Sequence, residues 1–223
     1  MAQAKDRFIG IALGFVAGFV DAAGFIALSG LFTAHVTGNF VLIGAELVSS
    51  GSGVLAKLLA LPAFVVAVAA TRLIALALER RGHASFPWLF VLQAVLLSAF
   101  CATGLLWTPL GSPDGARAIG VGMLGVAAMG IQNAIARLSL SHLPATTVMT
   151  VNVTQAVLDG VDILRRAPEI GPARIRLGRM GPAILAFAVG ALAGAFGIAF
   201  VSFWCLLLPI LILAVLAAAV ARQ

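Results

Sequence analysis

Apolar residues occur along this chain in runs long enough to cross a lipid bilayer. A transmembrane helix needs about 20 consecutive apolar residues. Runs of that length are 8–28, 57–79, 86–107 and 116–138, and a longer run, 180–221, has room for two helices joined by a tight turn. The pattern therefore predicts six membrane-spanning helices in an all-α fold.

Two segments between these runs, 33–48 and 146–164, carry polar residues in a repeated order. The first contains Thr33-Ala34-His35-Val36-Thr37-Gly38-Asn39, and the second contains Thr146-Thr147-Val148-Met149-Thr150-Val151-Asn152. Both septets follow the pattern Thr-x-x-x-Thr-x-Asn. The repetition indicates an old duplication that left equivalent polar groups in each half of the chain.

The similarity extends beyond the septets. Glu46 aligns with Asp159 at the same offset, and the residues from Gly18 to Ala22 align with those from Gly130 to Ala134 one position out of step. We interpret residues 1–223 as one membrane domain made of two repeats, 8–107 and 116–221.

Composition supports a membrane protein. The chain is 62% hydrophobic and 10% charged, with a mean hydropathy of +1.13, whereas soluble domains carry roughly 25% charged residues. In a soluble protein the net charge of +6 would suggest nucleic acid as a partner. Here the basic residues flank apolar runs, so membrane topology explains them and the expected surroundings are the lipid bilayer.

The placement of Arg and Lys predicts how the chain crosses. If 33–48 and 146–164 each enter and leave the membrane on one side, eleven of the fourteen basic residues are cytoplasmic, as are both termini. Only Lys57 and Arg117 are then external, and Arg72 lies in a span near its cytoplasmic end. Basic residues favour the cytoplasmic side, so six spans and two re-entrant segments fit better than eight spans.

This topology also sets the relation between the halves. With six spans the repeats are inverted relative to each other, an arrangement typical of secondary transporters. Eight spans would give a parallel repeat instead.

Asp21 and His35 are the most reactive candidates near the membrane interior. Asp21 is about 21 Å along a helix from Arg7, hence within the hydrocarbon, and acids at that depth are functional candidates by default. A structural alternative is a hydrogen bond between its carboxyl group and a broken helix end. His35 could pair with Asp21 to relay a proton, or it could bond the backbone of an irregular loop.

The repeated polar residues have two interpretations. Thr and Asn are common helix N-caps, and the same side chains could line a solute site. Asn133 is the mate of Asp21 in the second half and cannot ionise. The predicted solute-binding residues are Asp21, His35, Thr37, Asn39, Asn133, Thr150 and Asn152.

Small residues indicate where helices pack closely. Gly10, Gly14 and Gly18 are four apart, and Gly190 and Gly194 repeat the spacing; such spacing lets helices approach. Internal packing is the favoured interpretation, with a homodimer interface left open. The sequence offers no nucleophile–base pair, metal-ligand cluster or cofactor motif, so neither an enzyme nor a cofactor is expected.

The motifs Ala34-His35-Val36-Thr37-Gly38-Asn39 and Gln132-Asn133-Ala134 resemble those of the YoaK-like family of small bacterial inner-membrane proteins. The resemblance covers nearly the whole chain and implies a bacterial inner-membrane location, but no substrate. In the second septet Val151 stands where the family pattern has Gly. The leading hypothesis is a small secondary transporter or channel for a small polar solute or ion, with its site at the midplane between the paired re-entrant segments. The alternative is a non-transporting membrane scaffold or assembly protein.

Overall fold

The computed structural model describes residues 2–49, 51–141, 143–144, 146–166, 168 and 170–221, and every regular element among them is helical. The helices are α1 (Ala2–Ala27), α2 (Gly38–Ser49), α3 (Val54–Arg80), α4 (Ser85–Trp107), α5 (Ala116–Leu138), α6 (Met149–Leu164), α7 (Ile170–Val201) and α8 (Leu207–Ala221), with a short 3-10 segment, Ser202–Leu206, between the last two.

Five helical stretches are long and apolar enough to cross a membrane, which is the composition of a multi-pass membrane protein. They are Asp6–Ala27, Val54–Arg80, Ser85–Trp107, Ala116–Leu138 and Ile170–Ala221. The last stretch contains both α7 and α8, and it begins at Ile170 rather than at residue 180 as the apolar pattern predicted. The helices α2, α6 and α8 have 12, 16 and 15 residues, fewer than the roughly 20 that a span requires. Helix α8 reaches about that length only together with the 3-10 segment before it.

Close packing between α1 and α7 depends on the predicted glycines. A Cβ atom at Gly14 would lie 2.9 Å from the carbonyl oxygen of Ala183, and one at Gly18 would overlap that of Phe187. Glycines at 190 and 194 of α7 likewise face backbone oxygens of α1. The small-residue stripe therefore packs inside one chain. Because the contacts advance together along both helices, α1 and α7 run parallel.

The pair α3 and α5 packs in a similar way. A Cβ atom at Gly130 of α5 would lie 3.0 Å from Ala67 and 3.4 Å from the carbonyl oxygen of Phe64, both on α3. Gly130 is the residue that aligns with Gly18, and each of the two glycines packs against a phenylalanine carbonyl. The first helix of each predicted repeat thus packs against the third helix of the other.

In contrast, α1 and α5 run in opposite directions. Gln132 Nε2 on α5 donates to the carbonyl oxygen of Leu13, early in α1, at 2.9 Å. A Cβ atom at Gly122, ten residues earlier on α5, would instead lie 3.6 Å from Leu28, just after α1 ends. As residue numbers rise on one helix, they fall on the other.

The helix ends gather in two layers. Asp6 and Arg7 share one cavity with Pro144 and Arg179, and we call this layer the basic end. The residues from Ile26 to Ser29 share another cavity with the residues from Thr108 to Gly111 and with Ser202, and we call this layer the opposite end. Of the described basic side chains, Lys57 and Arg117 lie toward the opposite end. Arg222 and the side chain of Lys5 are outside the part of the chain that the structure describes.

Candidate functional site

Asp21 holds the irregular segment that follows α1. Its Oδ1 accepts hydrogen bonds from the backbone nitrogens of Thr33 at 2.8 Å, Ala34 at 2.6 Å and His35 at 3.4 Å. The Thr33 hydroxyl lies 3.3 Å from the same oxygen. The residue is only 5% exposed. Backbone donors that leave helical geometry inside an apolar protein need an acceptor, and this carboxylate supplies one.

The second carboxylate oxygen binds a histidine. His35 Nδ1 lies 2.6 Å from Asp21 Oδ2, and the His35 side chain keeps 35% of its surface exposed. Its ring packs edge-on against Phe187 of α7, with centroids 5.6 Å apart. The predicted Asp21–His35 pair is therefore present, and the same carboxylate also has the structural role that was its alternative.

Asn39 closes the loop between α1 and α2. Its Oδ1 accepts from Phe32 N at 2.9 Å, while its Nδ2 donates to Phe32 O at 3.0 Å. The side chain is buried, and both of its polar atoms are used to hold backbone. Thr37 is exposed and makes no side-chain hydrogen bond with the described residues, so it does not cap α2.

A cavity of about 580 Å³ opens beside the Asp21–His35 pair. We call it the first cavity. Asp21, His35 and Thr37 are among its lining residues, and Phe187 and Ala191 of α7 form its far wall. Three of the predicted site residues therefore meet here, in largely apolar surroundings, and none of the lining residues comes from the second septet.

The second half contains a related but different arrangement. Thr147 Oγ1 donates to Asn133 Oδ1 at 2.6 Å, across the same fourteen-residue separation that joins Asp21 to His35. Asn133 Nδ2 also donates to the carbonyl oxygen of Met129 at 3.0 Å. Here an amide and a hydroxyl stand where the first half has a carboxylate and an imidazole.

The remaining predicted residues lie apart from the first cavity. Asn133 lines a second cavity of about 380 Å³ between α3 and α5, together with Arg72 and Arg137. Asn152 is buried and directs Nδ2 toward Met149 Sδ at 3.7 Å. Thr150 is exposed and lies inside α6, whose N-cap residue is Val148, so Thr150 does not cap that helix. The seven predicted residues do not share one cavity.

Two ion pairs connect the repeated segments to the helices that follow them. Glu46 Oε1 of α2 lies 2.8 Å from Lys57 Nζ of α3. Asp159 Oδ1 of α6 lies 2.6 Å from Arg176 Nη2 of α7. The acids are the aligned pair, so their equivalence was visible in the sequence. Their basic partners were not, because Lys57 and Arg176 follow their acids by different intervals.

A buried amide pair was also missed. Gln93 Nε2 of α4 donates to Gln132 Oε1 of α5 at 2.8 Å, and both side chains are fully buried. Gln132 in turn donates to the Leu13 carbonyl of α1, which links three helices. In the sequence, a single Gln93 within an apolar run was the feature that could have indicated a buried polar contact.

Residues 9–219 match the family model described as "Protein of unknown function (DUF1275)". The chain belongs to this family. The DUF1275 match extends over both predicted repeats and agrees with the resemblance to a family of unknown function, and its description assigns no activity. No curated protein and no solved structure matches the chain.

Proposed function

We propose that this DUF1275 protein is a small secondary transporter or channel for a small polar solute or ion. In this proposal six helices span the membrane, α2 and α6 are re-entrant, and the two halves form an inverted repeat. The location is the bacterial inner membrane, as in the YoaK-like proteins that the motifs resemble, with the basic end in the cytoplasm.

The direction of the helices supports the inverted repeat. Equivalent first helices run antiparallel when an odd number of spans forms each half, and α1 and α5 have that relation through the contacts of Gln132 and Gly122. Eight spans would make the same two helices parallel. The position of the described Arg side chains other than Arg117 toward the basic end agrees with the positive-inside rule.

The path of the chain around α2 supports a re-entrant segment. After α1 ends, Ser29 and Gly30 adopt positive φ angles of 53° and 85°, and residues 33–35 run back to Asp21. Helix α2 then carries Glu46 to Lys57, whose Nζ also donates to the Ser29 carbonyl at 3.1 Å. Because Glu46 and Ser29 both contact Lys57, the end of α2 lies close to the point at which the chain left α1.

The observation that carries the transport proposal is the partly exposed His35 on a buried carboxylate. Oδ1 of Asp21 is engaged by three backbone donors, while Oδ2 binds a histidine that lines the first cavity. An imidazole on a carboxylate can take up and release a proton near neutral pH. A transported proton or cation would meet these two groups inside the membrane-spanning part of the protein.

Transport is tested with purified protein in liposomes that contain a pH-sensitive dye. We expect an imposed potassium-diffusion potential to drive proton entry in the wild type, and His35→Ala to abolish it. His83→Ala is the matched control, since His83 is exposed in the turn between α3 and α4. Proton entry equal in wild type and His35→Ala would remove this pair from the transport path. Solute counterflow with the same variants then tests amino acids, sugars and inorganic ions.

The second candidate function is a non-transporting scaffold in the membrane. It is favoured by the use of Asn39 entirely for loop backbone and by the exposed position of Thr37 and Thr150. In that case a partner protein would copurify in fixed proportion, and wild-type liposomes would remain as tight as protein-free ones to every probe. A homodimer is compatible with either function.

A further inference from the structure

The second cavity, beside Asn133, differs from the first in charge. It is lined by Phe64, Val68, Arg72, Asn133, Ala134, Arg137 and Leu138, and has a volume of about 380 Å³. None of these lining residues is acidic. Neither Arg72 nor Arg137 forms an ion pair or hydrogen bond with the described part of the chain, so two guanidinium groups face one small space without a counter-charge.

The walls of the two cavities correspond. Phe187 and Ala191 of α7 line the first cavity, and Phe64 and Val68, with the same spacing on α3, line the second. Phe25 of the first cavity aligns with Arg137 of the second at the offset that aligns Asp21 with Asn133. Where the first cavity has a carboxylate and an aromatic ring, the second cavity has an amide and a guanidinium group. Both differences make the second cavity better suited to bind an anion.

The depth of the second cavity suits the headgroup layer. Arg137 is the penultimate residue of α5, and Arg72 is eight residues before Arg80 at the end of α3, or about 12 Å along the helix. A long arginine side chain can extend from such a position toward the membrane surface. Both helix ends belong to the basic end of the protein. Basic pockets between helices on that side are suited to lipid headgroups.

We propose that the second cavity binds the phosphate group of an anionic phospholipid. The Arg72 and Arg137 guanidinium groups would hold the phosphate oxygens through charge-assisted hydrogen bonds. Asn133 contributes the second hydrogen of Nδ2, since the structure describes a partner only for the first. The apolar side chains of Phe64, Val68 and Leu138 accommodate the adjoining acyl chains. This site is independent of transport.

Native mass spectrometry of the detergent-purified full chain tests this site. Wild type, Arg72→Gln/Arg137→Gln and Arg117→Gln proteins are each titrated with phosphatidylglycerol, with phosphatidylcholine and with inorganic phosphate. Arg117 is the control because it lies at the opposite end. We expect phosphatidylglycerol to bind wild type and Arg117→Gln equally and to bind the double variant about 30-fold more weakly, as two lost surface charges imply.

Two results would overturn the proposal. Equal phosphatidylglycerol binding by wild type and the double variant would show that these arginines do not hold a phosphate. Displacement of the lipid by inorganic phosphate at equal concentration would assign the cavity to a soluble anion. The two single variants and Arg72→Lys/Arg137→Lys control for a loss of binding caused by misfolding, because each keeps positive charge in the cavity. Retention of intermediate affinity by the lysine variant, with an unchanged melting temperature, supports direct binding.

Discussion

Replacement of Asp21 by Ala or by Asn separates its role as a hydrogen-bond acceptor for the loop from the role of its negative charge. Asp21→Ala removes the acceptor for three backbone donors, two of which lie within 2.8 Å of Oδ1. Hydrogen bonds to a charged group contribute about 1.5–3 kcal/mol each, so the two short bonds imply a loss of about 3–6 kcal/mol. Asp21→Asn keeps an Oδ1 acceptor without the charge, and we expect it to lose about 1–2 kcal/mol.

The assay is unfolding of the purified protein in mixed micelles by SDS titration, followed by circular dichroism. Asp114→Ala is the matched control, because Asp114 also accepts from two backbone nitrogens, those of Gly53 and Ala56, at 2.9 and 3.1 Å. It is only half-buried, so its loss should cost about 1 kcal/mol, as for a helix N-cap. An Asp21→Ala protein no less stable than Asp114→Ala would refute the assignment of Asp21 as the anchor of this loop.

Two further perturbations test the packing and the ion pairs. Gly18→Ala should destabilise the protein by about 1–3 kcal/mol by overpacking, because the new Cβ would overlap the Phe187 carbonyl oxygen. Gly44→Ala, with open space around it, should be neutral or stabilising in the same SDS titration, and equal effects would contradict the α1–α7 contact. Lys57→Met should cost about 3–5 kcal/mol, because Lys57 is buried and its loss leaves the partly buried Glu46 carboxylate without its partner. Lys57→Met/Glu46→Leu should recover most of that loss, and failure to recover would show that the pair does not act as a unit.

Long elements could be predicted from sequence because the thickness of the bilayer sets their length. The bounds of the predicted runs 86–107 and 116–138 agree with those of α4 and α5 to within one residue. Helix α2 begins at Gly38, within the polar segment 33–48 that the sequence set apart from the spans. The contact between Asp21 and His35 was also predictable, since both are rare polar residues that flank one short reversal of the chain.

The arrangement of helices could not be predicted in the same way. Each half was expected to contribute to one shared site. In the structure, Asp21 lines a cavity that α7 completes, whereas Asn133 lines a separate cavity that α3 completes. That outcome depends on which helices pack together across the repeats, and glycine spacing alone does not specify a partner. The burial of Gln93 against Gln132 depends on the same long-range packing.

The two halves differ most in the ionisable side chains that they place beside their cavities. The carboxylate and imidazole of the first half have an amide and a hydroxyl as counterparts, and the second cavity has two arginines where the first has none. An asymmetric mechanism would use the first cavity for a proton or cation. In that account the second cavity serves attachment to lipid.

The topology of the chain is the central claim, and cysteine accessibility in intact cells tests it most directly. Single cysteines replace the exposed Ser52 and Ser141 in a background without Cys101 and Cys205, and an N-terminal tag reports the side of α1. The account predicts that an impermeant maleimide labels the Ser52→Cys protein from outside, while the Ser141→Cys protein and the tag are protected. Labelling of Ser141→Cys with protection of Ser52→Cys and the tag would show eight spans and contradict the inverted repeat.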